Sequence, residues 1–144
     1  MKIADKTTFR IAIFLGLLTV IIGAFGAHGL KKKDFGDKPQ HILTQEGDLI
    51  PLRPIKDRML QNFQTGVRYQ AWHTIVILIL SLIPGTRKAS FFLLGGILIF
   101  SGSLYAMALL SMPKLGMITP IGGLLFIIGW ILLFFAKEQT EAHS

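Results

Sequence analysis

Four apolar runs constrain this chain more than any other feature: residues 9–30, 66–83, 89–111 and 118–136, separated by short charged blocks. Each is close to the ~20 residues that a helix rising ~1.5 Å per residue needs to cross ~30 Å of hydrocarbon. Open strands cannot cross lipid, because their backbone groups would go unpaired there, and no alternating barrel pattern is present. The expectation is an all-α integral membrane four-helix bundle with short loops and one longer first loop. Apolar residues make up 51% of the 144, at a mean hydropathy of +0.57, more than a soluble domain of this length needs for its core. The second run is the shortest and carries Arg68 and His73 near its start.

The connections order the helices. Pro84 to Lys88 and Met112 to Met117 are so short that runs two, three and four must alternate in direction, with the first packed against them. Residues 31–64 form the one sizeable extramembrane segment. Within it, Gln45-Glu46-Gly47-Asp48 has turn chemistry between Ile42-Leu43 and Leu49-Ile50, which predicts a small hairpin or irregular lobe. After Pro54, Ile55, Met59, Leu60 and Phe63 share one helical face, as in an interfacial helix over about 55–64 or a plain N-terminal extension of run two. A cleaved signal peptide, with Ala24-Phe25-Gly26 as its cleavage site, is the rival reading of the first run, whose apolar stretch exceeds a signal core.

The net charge of +7 arises from lysines and arginines flanking apolar runs, where they meet anionic headgroups and set topology. No aromatic-interleaved basic face suggests nucleic acid. Lys2, Lys6, Arg10, Arg87, Lys88 and Lys137 stand on one side; Lys31, Lys32, Lys33, Lys38, Arg53, Lys56, Arg58 and Lys114 stand on the other, with Arg68 close by. The imbalance favours a cytoplasmic first loop. The absence of cysteine excludes disulfides and thiolate chemistry.

Helices in lipid associate where small residues let backbones approach. Ala12, Gly16, Thr19, Gly23 and Ala27 form such a stripe in run one, Gly95, Gly102 and Ala106 in run three, and Gly122 and Gly129 in run four. These glycines are read as packing positions, and Gly102→Leu is expected to disrupt folding.

Polar groups within apolar runs are costly unless paired or wet. His28, Arg68, Tyr69, Gln70, His73, Tyr105 and Thr119 are all placed by the antiparallel connectivity near the first-loop side, within about 10 Å of that interface. Gln70 and His73 share a face able to point into the bundle, while Arg68 points elsewhere and can snorkel. Either the groups satisfy one another, or they line a polar pocket for a lipid phosphate, a quinone headgroup or a proton path. Neither a metal set nor a hydrolytic triad is evident: no two histidines share ligand spacing on one helix, and Ser101 and Ser103 lack a His–acid partner. No cofactor is expected.

Four motifs carry a resemblance: Gly-Ala-Phe-Gly-Ala-His-Gly-Leu at 23–30, Phe63-x-Thr-Gly-Val-Arg-Tyr-Gln-x-x-His73, Phe100-Ser-Gly-Ser-Leu-Tyr105, and Thr119-Pro-Ile-Gly-Gly-x-x-Phe-x-x-Gly-Trp130. In that order they resemble the transmembrane protein 256 family of small membrane proteins, a bacterial domain of unknown function with mitochondrial relatives. The resemblance implies four spans in a bacterial inner (plasma) membrane, or in the mitochondrial inner membrane of a eukaryote, and carries no biochemical activity with it. Its motif residues here are His28, Arg68, Tyr69, Gln70, His73, Tyr105, Thr119, Pro120 and Trp130. The first loop departs from the pattern by a longer segment around Lys38 to Pro54. The expected role is a non-enzymatic accessory or assembly subunit, in contact with membrane lipids and with a larger complex or further copies of itself. The other reading is a lipid-, quinone- or solute-binding or proton-conducting module.

Overall fold

The structure, a computed structural model, describes residues 3–30, 41–43, 46, 49–51 and 55–136. It is nearly all helical. Helix α1 covers Lys6–Phe25 and ends in a π-helical turn, Gly26–Leu30. The short strands β1 (His41–Leu43) and β2 (Leu49–Pro51) pair antiparallel with Ile42 opposite Ile50, the hairpin that the turn chemistry predicts. Lys38 and Arg53 of the expected first-loop insertion lie outside the described residues. Helix α2 (Ile55–Leu80) runs unbroken for 26 residues. Helix α3 (Arg87–Gly96), a π-helical turn (Ile97–Ser101) and α4 (Gly102–Leu110) form one rod; a 3₁₀ turn (Pro113–Met117) leads into α5 (Thr119–Phe134).

Three of these rods are long and apolar enough to cross a membrane: Lys6–Leu30, Arg87–Leu110 and Pro113–Phe134. Helix α2 is not among them, because its first half carries Lys56, Asp57 and Arg58, and Arg68, Gln70 and His73 follow in the second.

Glycines set the register of the antiparallel pairs. Along α1 and α2, Gly26 faces Phe63, Gly23 faces Val67 and Gly16 faces Thr74. Along the α3–α4 rod and α5, Gly122 faces Phe100, Gly96 faces Phe126 and Gly129 faces Leu93. A Cβ on Gly122 would lie 2.7 Å from the Phe100 Cα, and one on Gly129 would lie 2.6 Å from Leu93 Cδ2. The helices therefore approach most closely at Gly122 and Gly129 among the glycines singled out from sequence. At Gly16 and Gly23 a Cβ would make ordinary contact, at 3.8 and 3.5 Å, and at Gly95 it would meet Leu125 at 3.2 Å. Gly102 corrects the expectation: a Cβ there meets nothing within 4 Å. The π-helical turn just before it adds a residue to the helical repeat and changes which face of the rod each side chain occupies. Three glycines packed closely against another helix were missed from sequence, Gly26, Gly66 and Gly96, which accommodate the rings of Phe63, Tyr105 and Phe126.

Two apolar clusters fill the interior. Ala12, Leu15, Ile77, Leu80, Leu93, Ile97 and Phe126 pack toward the end that carries the N-terminus. Leu30, Met59, Phe63, Leu104, Met107 and Ala108 pack toward the first-loop end. The polar residues of α2 lie between them.

The N-terminal end is clamped by Asp5. One carboxylate oxygen accepts the Thr7 and Thr8 backbone N–H groups (3.0 and 3.1 Å), and the other accepts the Thr8 hydroxyl (2.8 Å) and pairs with Arg87 Nε at 3.4 Å. The Ala4 and Asp5 backbone N–H groups both donate to Ser81 O, tying the start of α1 to the α2–α3 turn, where Gly85 takes a φ of 84°. Bonds from the Thr8 backbone and hydroxyl, aided by the Arg87 charge, hold the Asp5 carboxyl below its ordinary value. A depressed carboxyl stabilises the fold above its unfolded-state value and loses that contribution as pH falls through its folded-state value. Asp5→Ala is expected to cost about 1 kcal/mol, the usual worth of an N-cap, in detergent melts at neutral pH. The gap to wild type should close in acid.

Candidate functional site

Gln70 anchors a layer of polar contacts in the middle of the bundle. Its side chain is 2% exposed. The amide nitrogen donates to Thr19 Oγ1 (2.8 Å) and Leu15 O (3.2 Å), and its oxygen accepts the Tyr105 hydroxyl at 2.9 Å. Thr19 Oγ1 in turn donates to Leu15 O at 2.7 Å. Three elements, α1, α2 and α4, thus meet on one carboxamide whose donor and acceptor groups are engaged. In a low-dielectric interior an unmade bond costs more than in water, so mutual satisfaction makes a glutamine tolerable there.

One turn along α2, His73 is buried on the side facing α5. Its Nδ1 lies 2.8 Å from Tyr69 O, and Trp130 Nε1 points at its Nε2 from 3.4 Å. Indole N–H only donates, so Nε2 is the acceptor and Nδ1 carries the proton given to Tyr69 O. The ring stacks on Phe126 at 3.7 Å between centroids, and Tyr69 packs on Phe100 at 4.5 Å. These aromatics wall an open lateral groove of about 710 Å³ between α2 and α5, whose lining also includes Trp72, Pro120, Leu124 and Ile127.

The seven residues singled out by sequence therefore divide. Gln70 and Tyr105 are bonded to each other, and His73 and Tyr69 form a neighbouring unit. Thr119 is apart from both, its hydroxyl 2.8 Å from that of Ser103, which accepts from it while donating its own hydrogen to Phe100 O. Arg68 is exposed and reaches Thr65 Oγ1 at 3.4 Å, as its separate helical face implied. His28 is exposed in the π-helical turn that ends α1. The depth assigned from sequence is corrected as well. Gln70 meets Leu15 and Thr19, halfway along Lys6–Leu30, at roughly 15–20 Å from either end of that rod. The depth was counted from the start of apolar run two near Gly66, whereas α2 is continuous from Ile55, the N-terminal extension that the sequence left open, so Gln70 and His73 lie four to five turns into it. Sequence reasoning listed Thr19 as a small packing residue, and Trp130 only through the resemblance, without seeing either as a hydrogen-bond partner. Their spacing carries no signal of that pairing. Two further hydroxyls, Thr74 Oγ1 and Ser101 Oγ, are buried without a partner among the described residues.

The signature of the family described as "Protein of unknown function (DUF423)" matches residues 22–123, a stretch holding Gln70, His73, Tyr105 and Thr119. This chain belongs to the DUF423 family. Relatives of the DUF423 chain include a UPF0382 membrane protein of Staphylococcus aureus, 38% identical over 88% of this chain and 94% of its own length. The UPF0382 membrane protein YwdK of Bacillus subtilis is 36% identical over 90% and 98%, and one from Haemophilus influenzae is 37% identical over 88% and 90%. No solved structure matches. The DUF423 chain is thus a membrane protein of a bacterial family, and its all-α bundle is built for lipid.

Proposed function

We propose that this DUF423 protein is a four-span, multi-pass component of the bacterial inner membrane, related to the transmembrane protein 256 family, that acts without catalysis by packing onto a larger membrane complex. Helix α2 serves as the fourth span. Gln70, His73 and Thr74 all turn inward, at 2%, 8% and 5% exposure, so the polarity that lowers its hydropathy is kept from lipid. The polar layer supports a scaffold role, since its central carboxamide is used up in joining helices.

The observation that carries the docking reading is Trp72. It is 71% exposed on the rim of the α2–α5 groove, beside Tyr69 and Trp130, which are 44% and 50% exposed. Tryptophan in membrane proteins gathers at the headgroup level, where its N–H finds water. Trp72 instead lies near mid-depth, two residues beyond Gln70, and no acceptor among the described residues takes its indole N–H. A neighbouring transmembrane helix offering a hydroxyl or carbonyl would satisfy it and cover the groove. Mild-detergent extraction from native membranes followed by native mass spectrometry is expected to recover a stoichiometric larger partner, and Trp72→Leu is expected to weaken its retention about tenfold while leaving the melting curve unchanged. Recovery of the bare chain in both wild type and variant would refute this role. The His73–Trp130 pair in the groove wall favours a second reading, an amphiphile such as a quinone held in the groove; a co-extracted small molecule lost in Trp130→Phe is its signature.

A further inference from the structure

At the opposite end from the first loop, a cleft of about 700 Å³ opens between the start of α1 and the α2–α3 turn. Its walls are of two kinds. Asp5, Lys6 and Arg87 supply the charged part; Leu82 and Ile83 supply the apolar part. Nothing in the central polar layer or the α2–α5 groove involves it. We propose that this cleft is a binding site for the phosphate of an anionic phospholipid headgroup.

Arg87 is the residue around which the site is built. Asp5 engages its Nε at 3.4 Å, and the ring of Phe91 lies 5.5 Å from the guanidinium carbon. Both contacts orient the guanidinium, while its two terminal nitrogens remain available on a side chain that is 66% exposed. That fork matches two oxygens of a phosphate. The Asp5 carboxylate would repel an anion if it were free, but both its oxygens are committed to Thr7, Thr8 and Arg87. At that end the described residues include four cations, Lys6, Arg10, Arg87 and Lys88, against this one carboxylate. The mixed walls decide between sources of phosphate. A free ion has no use for Leu82 and Ile83, whereas a phospholipid places glycerol ester and upper acyl carbons next to its phosphate. The site also lies where the membrane rods end, at headgroup level.

The test uses the full-length protein in mild detergent, titrated with phosphatidylglycerol, with phosphatidylethanolamine of the same chains, or with inorganic phosphate, and read by native mass spectrometry and thermal melting. Phosphatidylglycerol is expected to remain bound and to raise the melting temperature, and phosphatidylethanolamine to do so far less. Arg87→Gln is expected to lower phosphatidylglycerol retention about tenfold. Because Arg87 also braces Asp5, the exposed Lys6→Gln provides an independent check: it should lower retention several-fold without moving the lipid-free melting curve. Lys114→Gln, at the other end, should leave retention at the wild-type level. Equal retention of the two lipids, or wild-type retention in both Arg87→Gln and Lys6→Gln, overturns the site. Equal stabilisation by inorganic phosphate at matched concentration places a free anion in the cleft and overturns the lipid assignment.

Discussion

Adding one methyl group at Gly122 is expected to destabilise the bundle by about 3 kcal/mol, the upper end of what overpacking costs. The new Cβ would land on the backbone nitrogen and Cα of Phe100, atoms of a helix axis that cannot rotate aside as a side chain can. Relief requires α5 to move away from the α3–α4 rod, which also opens the contacts of Gly96 with Phe126 and Gly129 with Leu93. The same substitution at Gly102 should act in the opposite direction. Its Cβ enters open space, and replacing a helical glycine with alanine gains about 0.8–1 kcal/mol where nothing clashes. Thermal melts of Gly122→Ala and Gly102→Ala in one detergent compare the two directly. Equal stability of the pair would mean that the α3–α5 interface is not packed as described.

Gln70→Ala is the second large effect, expected at about 2–4 kcal/mol. It removes the amide that joins α1 to α2, leaves the Tyr105 hydroxyl without its acceptor, and opens a void beside Thr19. Tyr105→Phe alone should cost about 1 kcal/mol, in the range of interhelical hydrogen bonds in membranes. In the Gln70→Ala background that cost should vanish, since the hydroxyl no longer has a partner there. A double-mutant cycle read by denaturant unfolding in micelles gives the coupling, about 1 kcal/mol if the bond is made. Additive losses would mean that Tyr105 and Gln70 do not act together.

Much of the architecture was legible in the apolar runs. Their length and separation carry the all-helical class, and the turn residues between Leu43 and Leu49 carry the hairpin, because both depend on local backbone chemistry. Candidate polar residues were legible too, since a glutamine and a histidine among leucines and isoleucines are conspicuous whatever they touch. The depth of those residues was not. Apolar run two begins near Gly66 while the helix begins at Ile55; the shared face of Ile55, Met59, Leu60 and Phe63 allowed that continuous extension or a separate interfacial helix, and hydropathy does not decide between them. Partners were hidden for a related reason. Thr19, Ser103 and Trp130 meet Gln70, Thr119 and His73 across sequence separations of 51, 16 and 57 residues, and no local pattern encodes such distances. The Asp5–Arg87 clamp escaped notice in the same way.

The amino-acid order alone decided the solvent of this protein and the helical form of its chain, because a backbone deprived of water must bond within itself, and side-chain polarity determines which segments go without water. Which glycine faces a neighbour's backbone, which faces open space, and which hydroxyl reaches which amide were decided only when the helices met. Those outcomes depend on rotation and register, to which a π-helical turn or an earlier helix start contributes as much as any side chain. Hence Gly102 and Gly122, alike in sequence, carry opposite expectations in the folded bundle.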